Sequence, residues 1–412
     1  MTFNDLSLMP SIIRAVNDQN YTQPTPIQQQ AIPLVLEQKD VLACAQTGTG
    51  KTAAFAIPII QHTQQNIIHS KKPRITSLIL TPTRELAIQI GENIDNYSKY
   101  TDVRYTVIYG GVKQMKQVER LKKGVDILVA TPGRLLDLMG QGYIRLHDIK
   151  HFVLDEADRM LDMGFIHDIK RVIEKLPNKR QSLFFSATLP PNIIELSKQI
   201  LTHPVKIQVT PASSTADTVN QTLYFTNKSL KKSLLVYLID KHDIKQLLLF
   251  VKTKHGADRI ARDLKKKRIN AQAIHGDKAQ NQRQNALRAF KEGKINVLVA
   301  TDIAARGIDI DKLEYVINYD IPNEPETYVH RIGRSGRAGE SGFALSLCEP
   351  EENIFVKDIE KLIKKKIRVV DDHPYPQTDK PMTAAEKKEW NKEKQRRKQE
   401  FFANRKKSNR RN

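Results

Sequence analysis

Cysteine is nearly absent: Cys44 and Cys348 are the only two in 412 residues. That excludes a disulfide framework and a cysteine-rich zinc site, and it fits a reducing cytoplasm. No stretch approaches eighteen consecutive apolar residues, so no membrane-spanning helix is expected. Residues 1–10 hold Asp5 and lack a basic segment followed by an apolar core, so a secretory leader is not expected either. Acidic residues are in deficit, 46 Asp and Glu against 67 Lys and Arg, which leaves a net charge of +21. Such an excess favours a polyanionic partner, with nucleic acid the first candidate. What remains is ordinary globular usage, 40% apolar and 27% charged, at a length that suits two domains with a core each.

The charge is uneven. Residues 381–412 carry twelve Lys or Arg against four Glu, a net +8, with Trp390, Phe401 and Phe402 as the only aromatics. Asp371, Asp372, Pro374 and Pro376 interrupt the chain before this segment, and Thr383 with Glu386 resembles a capping box. The expectation is a body ending near Val370 and a basic tail over 371–412, largely disordered or partly helical. A second shift, Thr210-Pro211-Ala212-Ser213-Ser214-Thr215, is small and polar without periodicity. It marks a linker over 210–218 between domains at 1–209 and 219–370.

Within the body, short apolar β-branched runs alternate with helical patterns, at residues 40–44, 76–80, 104–109, 126–130, 151–154 and 182–185. The habit continues at 246–251, 271–275, 296–300, 315–318 and 343–347. The fold class is α/β, with parallel sheets covered by helices. Leu128-Val129-Ala130-Thr131 recurs as Leu298-Val299-Ala300-Thr301, and Thr83-Arg84 matches Thr253-Lys254, both 170 residues apart. Between them Tyr109-Gly110 is echoed by His275-Gly276 at 166. Ordered matches at nearly one offset point to a duplicated domain, with polar residues at the carboxyl ends of parallel strands, where open α/β sheets bind ligands.

The strongest local signal is Ala45-Gln46-Thr47-Gly48-Thr49-Gly50-Lys51-Thr52, between a strand and a helix. Gly48 and Gly50 let backbone N–H groups wrap phosphates, Lys51 reaches the terminal ones, and the Thr52 hydroxyl suits Mg²⁺. This is a P-loop, with Ala45 where the general pattern has Gly. It needs a carboxylate for the metal and a group to orient water. Asp155, at the end of an apolar run, and Glu156 beside it meet those needs, Glu156 as general base. Alone, such a pair often marks only a helix N-terminus. His330-Arg331-Ile332-Gly333-Arg334-Ser335-Gly336-Arg337-Ala338-Gly339 places three arginines on a Gly-rich turn in the second half, where they could act as fingers when the halves close. For Arg331 a basic surface loop is a competing reading.

These residues resemble the DEAD-box helicases, a family named for Asp155-Glu156-Ala157-Asp158, and the resemblance runs from Phe3 to about Val370. It is carried by further motifs in order: Tyr21-Thr22-Gln23-Pro24-Thr25-Pro26-Ile27-Gln28, Pro82-Thr83-Arg84-Glu85-Leu86-Ala87, Gly110-Gly111, Thr131-Pro132-Gly133-Arg134, Ser186-Ala187-Thr188, Thr301-Asp302-Ile303-Ala304-Ala305-Arg306-Gly307-Ile308-Asp309, and the run from His330. The opening Met-Thr-Phe and the basic tail are most like the bacterial RhlE-type branch.

The resemblance implies two RecA-like domains, ATP and Mg²⁺ as cofactors, and structured RNA as partner. It implies that Gln28 reads the adenine, that Tyr21 packs on the base with Phe3 behind it, and that Asp309 meets the ribose. Arg334 and Arg337 would be the fingers. Ser186, Ala187, Thr188, Asp158 and His330 would couple hydrolysis to strand separation. RNA would be held by Arg84, Gly111, Thr131 and Arg134 in the first domain and by Thr253, Gly276, Arg283 and Thr301 in the second. The expected activity is an RNA-stimulated ATPase that opens short duplexes or remodels RNA–protein complexes, as a cytoplasmic monomer with ribosomal assembly among its settings. Two other readings stay open: a clamp or annealing chaperone whose ATPase only times release, and a DNA translocase on the same fold.

Overall fold

In the computed structural model the described residues are 1–46, 48–67, 74–209, 219–305, 310, 313–336 and 342–381. The expected linker 210–218 and the segment 382–412, with its Thr383 capping box, lie outside them. The first sheet contains β1 (Val41–Ala45), β2 (Ser77–Leu80), β3 (Tyr105–Ile108), β4 (Ile127–Ala130), β5 (His151–Leu154), β6 (Gln181–Ser186) and β7 (Val205–Val209). The second contains β8 (Val219–Phe225), β9 (Leu247–Phe250), β10 (Ala271–Ile274), β11 (Val297–Ala300), β12 (Tyr315–Asn318), β13 (Gly342–Cys348) and β14 (Arg368–Val369). Every pairing is parallel.

The orders are β3-β4-β2-β5-β6-β1-β7 and β10-β11-β9-β12-β13-β8-β14. Each strand of the second sheet stands where the strand seven earlier stands in the first. The two domains therefore share one topology, as the offset matches implied, and tandem RecA-like domains follow.

Side chains alternate across a strand, so a sheet covered on both faces needs apolar residues at successive positions. In the first sheet Val41, Ala43, Ile79, Val129 and Phe185 enter one core with helices Pro26–Leu36, Lys51–Gln65 and Arg84–Ser98. Leu42, Leu78, Leu80, Phe152 and Phe184 enter the other, with helices Pro132–Gly140 and Pro191–Ile200. The sequence missed β7, β8 and β14, whose apolar signal is diluted: β7 alternates exposed and buried residues, β8 carries Asn220, Gln221 and Thr222, and β14 is two exposed residues.

The caps repeat as well. The Thr83 hydroxyl accepts from the Leu86 N–H at 3.3 Å and opens helix Arg84–Ser98. The Thr253 hydroxyl accepts from Gly256 at 3.0 Å and opens helix Lys254–Lys266. Each satisfies a backbone donor that a helix start leaves open.

The body does not stop at Val370. His373 packs edge-on against Tyr224, Tyr375 packs against Tyr237, and Asn227 Oδ1 accepts from the backbone N–H groups of Thr378 and Asp379 at 2.9 and 3.0 Å. Residues 371–381 form a strap over the second domain. Its prolines and acids read as a chain break, but the residues between them are anchors.

Candidate functional site

β1 delivers the chain to the phosphate loop with Ala45 buried and Gln46 beyond it. Gly48 and Gly50 both adopt positive φ, 84° and 91°, which L side chains rarely occupy. The Thr49 hydroxyl donates to the Gln46 carbonyl at 2.8 Å, closing the turn. Lys51 begins the next helix, buried, and its ammonium donates to the Ala45 carbonyl at 2.7 Å. Thr52 follows on the same turn. Thr47 lies outside the described residues.

Gln28 is buried against this loop. Its Oε1 accepts from the Thr25 N–H at 2.9 Å, and its Nε2 donates to the Gly50 carbonyl at 3.1 Å, so the motif expected to read adenine also braces the phosphate loop. A Cβ at Gly50 would stand 2.4 Å from Gln28 Nε2. Gly50→Ala is therefore expected to displace Gln28 and to cost about 1–2 kcal/mol in backbone strain alone. A lower melting temperature together with weaker ATP binding in titration would show it; parental values for both would disprove the brace.

Tyr21 stacks on Phe3 with ring centroids 6.2 Å apart, and its hydroxyl meets that of Tyr97 at 3.2 Å. Phe3 is buried whereas Tyr21 is partly exposed, so the support runs from Phe3 outward. Tyr97 was not singled out by sequence, because it looks like any aromatic on the buried face of a helix.

Asp155 follows β5 and is fully buried. Burial pushes its carboxyl up to about 7; Lys51 pulls the other way, while Glu156 adds to the rise. Its Oδ1 accepts from the Glu156 N–H at 3.0 Å. Glu156 takes a left-handed conformation at φ 54° and ψ 50°, and its carboxylate is paired with the Arg159 guanidinium. Arg159 is a site residue the sequence reading missed, although its spacing of three from Glu156 on a helix was available.

Asp158 ties this loop to the end of β6. Its Oδ2 accepts from the Ala187 N–H at 3.1 Å, the Thr188 N–H at 2.9 Å and the Thr188 hydroxyl at 3.0 Å. The Ser186 hydroxyl accepts from the Asp158 N–H at 3.3 Å and donates to the Thr188 carbonyl at 2.7 Å. Burial raises the Asp158 carboxyl, but Lys51, His330 of the second domain and Arg159 outweigh it and hold it below the usual range. Asp158, Thr188 and His330 line one interdomain cleft of about 950 Å³. The five residues expected to couple the domains therefore lie together.

A second cleft, about 460 Å³, brings Arg84, Thr131 and Arg134 of the first domain to Gly276 and Arg283 of the second. Gly111 turns at φ 78° beneath the Arg84 guanidinium, where a Cβ would clash. Arg134 is held by Gln117 Oε1 at 3.1 Å and the Val112 carbonyl at 3.0 Å. Thr301 directly follows β11 and Thr253 stands three residues past β9; neither lines this cleft. Arg283 reaches across to Glu85 at 2.9 Å, and Gln280 bonds Glu85 at 2.8 Å and Arg84 at 3.4 Å. Glu85 and Gln280 were missed as bridging residues, because nothing local marks a partner two hundred positions away.

Arg331 is no surface residue. It is 2% exposed, its Nε and Nη2 donate to the two Asp302 oxygens at 2.6 and 2.9 Å, and its Nη1 donates to the Asp320 carbonyl at 2.6 Å. The basic-loop reading of Arg331 is thereby corrected. Arg334 follows helix Pro325–Ile332 and is also buried. Asp309 and Arg337 lie outside the described residues.

Residues 25–196 match the DEAD/DEAH box helicase family, and residues 230–339 match the helicase conserved C-terminal domain. The chain is 43% identical over 364 residues to the ATP-dependent RNA helicase CshA of Limosilactobacillus reuteri, covering 88% of this chain and 72% of that protein. It is 42% identical over 368 residues to the DEAD-box ATP-dependent RNA helicase RhpA of Helicobacter pylori, covering 89% and 74%. Its fold superposes on Saccharomyces cerevisiae Dbp5 bound to RNA and ADP BeF3 with a TM-score of 0.79 at 31% identity, covering 90% of this chain and 95% of that one. The chain belongs to the DEAD-box helicase family. Neither CshA nor RhpA carries the RhlE name expected from the opening residues and tail.

Proposed function

We propose that the chain is an RNA-stimulated ATPase that opens short RNA duplexes locally or remodels RNA–protein complexes. One observation carries this reading: Asp158 and Thr188 of the first domain share an interdomain cleft with His330 of the second, beside a cleft lined by arginines from both. Gln28 and Tyr21 would hold the adenine, and Gly48 to Thr52 the phosphates. Mg²⁺ fits the residues present. Asp155 is a carboxylate buried enough to rise to about 7, a state a divalent cation would reverse, and Lys51, whose charge acts on it, is followed directly by Thr52 with its hydroxyl. Among the described residues no group of three or more acidic, His or Cys ligands is assembled. Mg²⁺ held with triphosphate and waters needs only one or two protein ligands, so none is required. Bound there, the ion would neutralise charge on the phosphates.

Glu156 would take the proton of the attacking water, and Arg334 would meet the charge spreading over the transferred phosphoryl group. The Asp158–Ser186–Thr188 cluster would pass the state of this site to the RNA cleft. There, backbone and 2′-hydroxyl contacts would hold one strand in a geometry that a duplex cannot keep. The other strand leaves, and hydrolysis resets the domains. Multiple-turnover unwinding of a short RNA duplex with ATP, but not with a non-hydrolysable analogue, supports this reading. Strand annealing without turnover-dependent unwinding would favour the clamp, and equal stimulation by DNA the translocase.

The segment 381–412 would tether RNA, because a basic extension joined to an RNA-binding body raises the local polyanion concentration without a fixed geometry. If it neutralises about four phosphates, a chain ending at Lys380 should show a slope of log K against log salt flatter by about three. Its kcat at saturating RNA should match the parent, while the RNA needed for half-stimulation rises. Identical salt slopes and half-stimulation points would leave the extension with a role in solubility only.

A further inference from the structure

The second domain repeats more than a strand order. β1 ends at Ala45 and a helix opens six residues later at Lys51; β8 ends at Phe225 and a helix opens six residues later at Lys231. β1 and β8 occupy the same place in their sheets. Asp320 stands two residues past β12 as Glu156 stands two past β5, and those strands correspond too. The second domain thus keeps a lysine and an acid at the positions that serve the nucleotide in the first.

The loop between them has changed. Residues 226–230 contain no glycine, so the positive-φ turns that aim N–H groups at phosphate in the first domain are absent from their sequence. Carboxylates stand in for phosphate. Lys231 is 1% exposed, its ammonium donates to Glu352 Oε2 at 2.7 Å, and Asp320 Oδ1 and Glu349 Oε2 lie at 3.5 and 3.7 Å. Burial opposes its charge, but Glu352, Asp320 and Glu349 outweigh that cost and hold the amine protonated. The strap closes over the same loop, with Asn227 Nδ2 donating to the Thr378 hydroxyl at 2.7 Å. This copy of the site is filled by the chain itself.

A buried ion cluster is weak as a source of stability, since apolar replacements of similar volume often do as well. Its connections suggest another use. Asp320 accepts from Lys231 with its side chain and from Arg331 Nη1 with its carbonyl, and Asn318 Oδ1 accepts from the same Arg331 nitrogen at 3.1 Å. Arg331 in turn grips Asp302 and belongs to the helix that leads to Arg334.

We propose that Lys231, filled by Glu352 and Asp320, is a positioning residue for ATP hydrolysis: it fixes Asp320, Asp320 fixes Arg331, and Arg331 sets where the turn presents Arg334. The inference rests on the reading of Arg334 as a finger.

The test compares full-length Lys231→Met, Lys231→Arg, Asp320→Asn, Lys231→Met/Glu352→Leu and Arg334→Ala. It measures kcat and KM for ATP with saturating RNA, and melting temperature. Lys231→Met and Asp320→Asn are expected to lower kcat on the order of tenfold to a hundredfold, the scale of a small misplacement of a reacting group, with KM for ATP unchanged. The double variant, which removes cation and acid together, should regain melting temperature but not kcat, and Lys231→Arg should regain kcat in part. A double variant with parental kcat would reduce the cluster to a structural role and overturn the proposal. If the double variant does not fold, Asp320→Asn decides, and parental kcat there overturns it. Parental kcat in Arg334→Ala would remove the finger reading and this inference together. A slow Arg334→Ala beside a parental Asp320→Asn would remove this inference alone.

Discussion

Glu156→Gln is expected to lower RNA-stimulated ATP hydrolysis by about a hundredfold to ten-thousandfold, the range for loss of a positioned general base. The substitution keeps the shape. A glutamine Oε1 can still accept from Arg159, and the left-handed backbone of Glu156 at the start of helix Ala157–Asp162 is retained by a residue of equal size. Asp155, the metal candidate, keeps its bond to the residue 156 N–H, which is backbone. What disappears is the ability to take a proton. Nucleotide and RNA affinity should therefore stay near parental values, whereas Lys51→Ala should weaken nucleotide binding itself. Single-turnover ATPase and fluorescent-nucleotide titration distinguish the two, and near-parental turnover in the Gln variant would take Glu156 out of the base role.

Arg334→Ala carries the second large effect. An arginine brought to the transferred phosphoryl group is worth about a thousandfold or more in kcat, because the charge it meets is largest in the transition state. Arg334 belongs to the second domain, so initial nucleotide binding by the first should be spared and kcat should fall with little change in ATP affinity. Arg337→Ala is expected to behave alike. Parental kcat in both variants would place the finger elsewhere. The buried fork of Arg331 on Asp302 separates it from these two: Arg331→Ala should lower melting temperature as well, since it strands a carboxylate and opens a void.

The sequence by itself marked the candidate nucleotide-site residues of the first domain. Gly48, Gly50 and Lys51 fall within four successive residues because a phosphate loop is a local object, and Asp155-Glu156 sits at a strand end because a run of buried apolar residues must stop where polar ones begin. The duplication was legible because one of its matches lies on β4 and β11, buried strands where few residue types fit, and another is a pair of threonines that cap helices. Only the tertiary structure decided the rest. The Asp158 bonds to Ala187 and Thr188, the Glu85–Arg283 bridge and the Asn227 bonds to the strap join residues from 29 to 198 positions apart. No local pattern marks them, because a side chain that will be paired by a distant segment looks like any polar residue until the chain returns. The filled lysine site of the second domain stayed hidden because β8 is too polar to stand out, and without β8 the six-residue spacing to Lys231 has no starting point. Periodicity and backbone conformation are set by neighbours in sequence, whereas the partner of a buried charge is set by where the chain comes back.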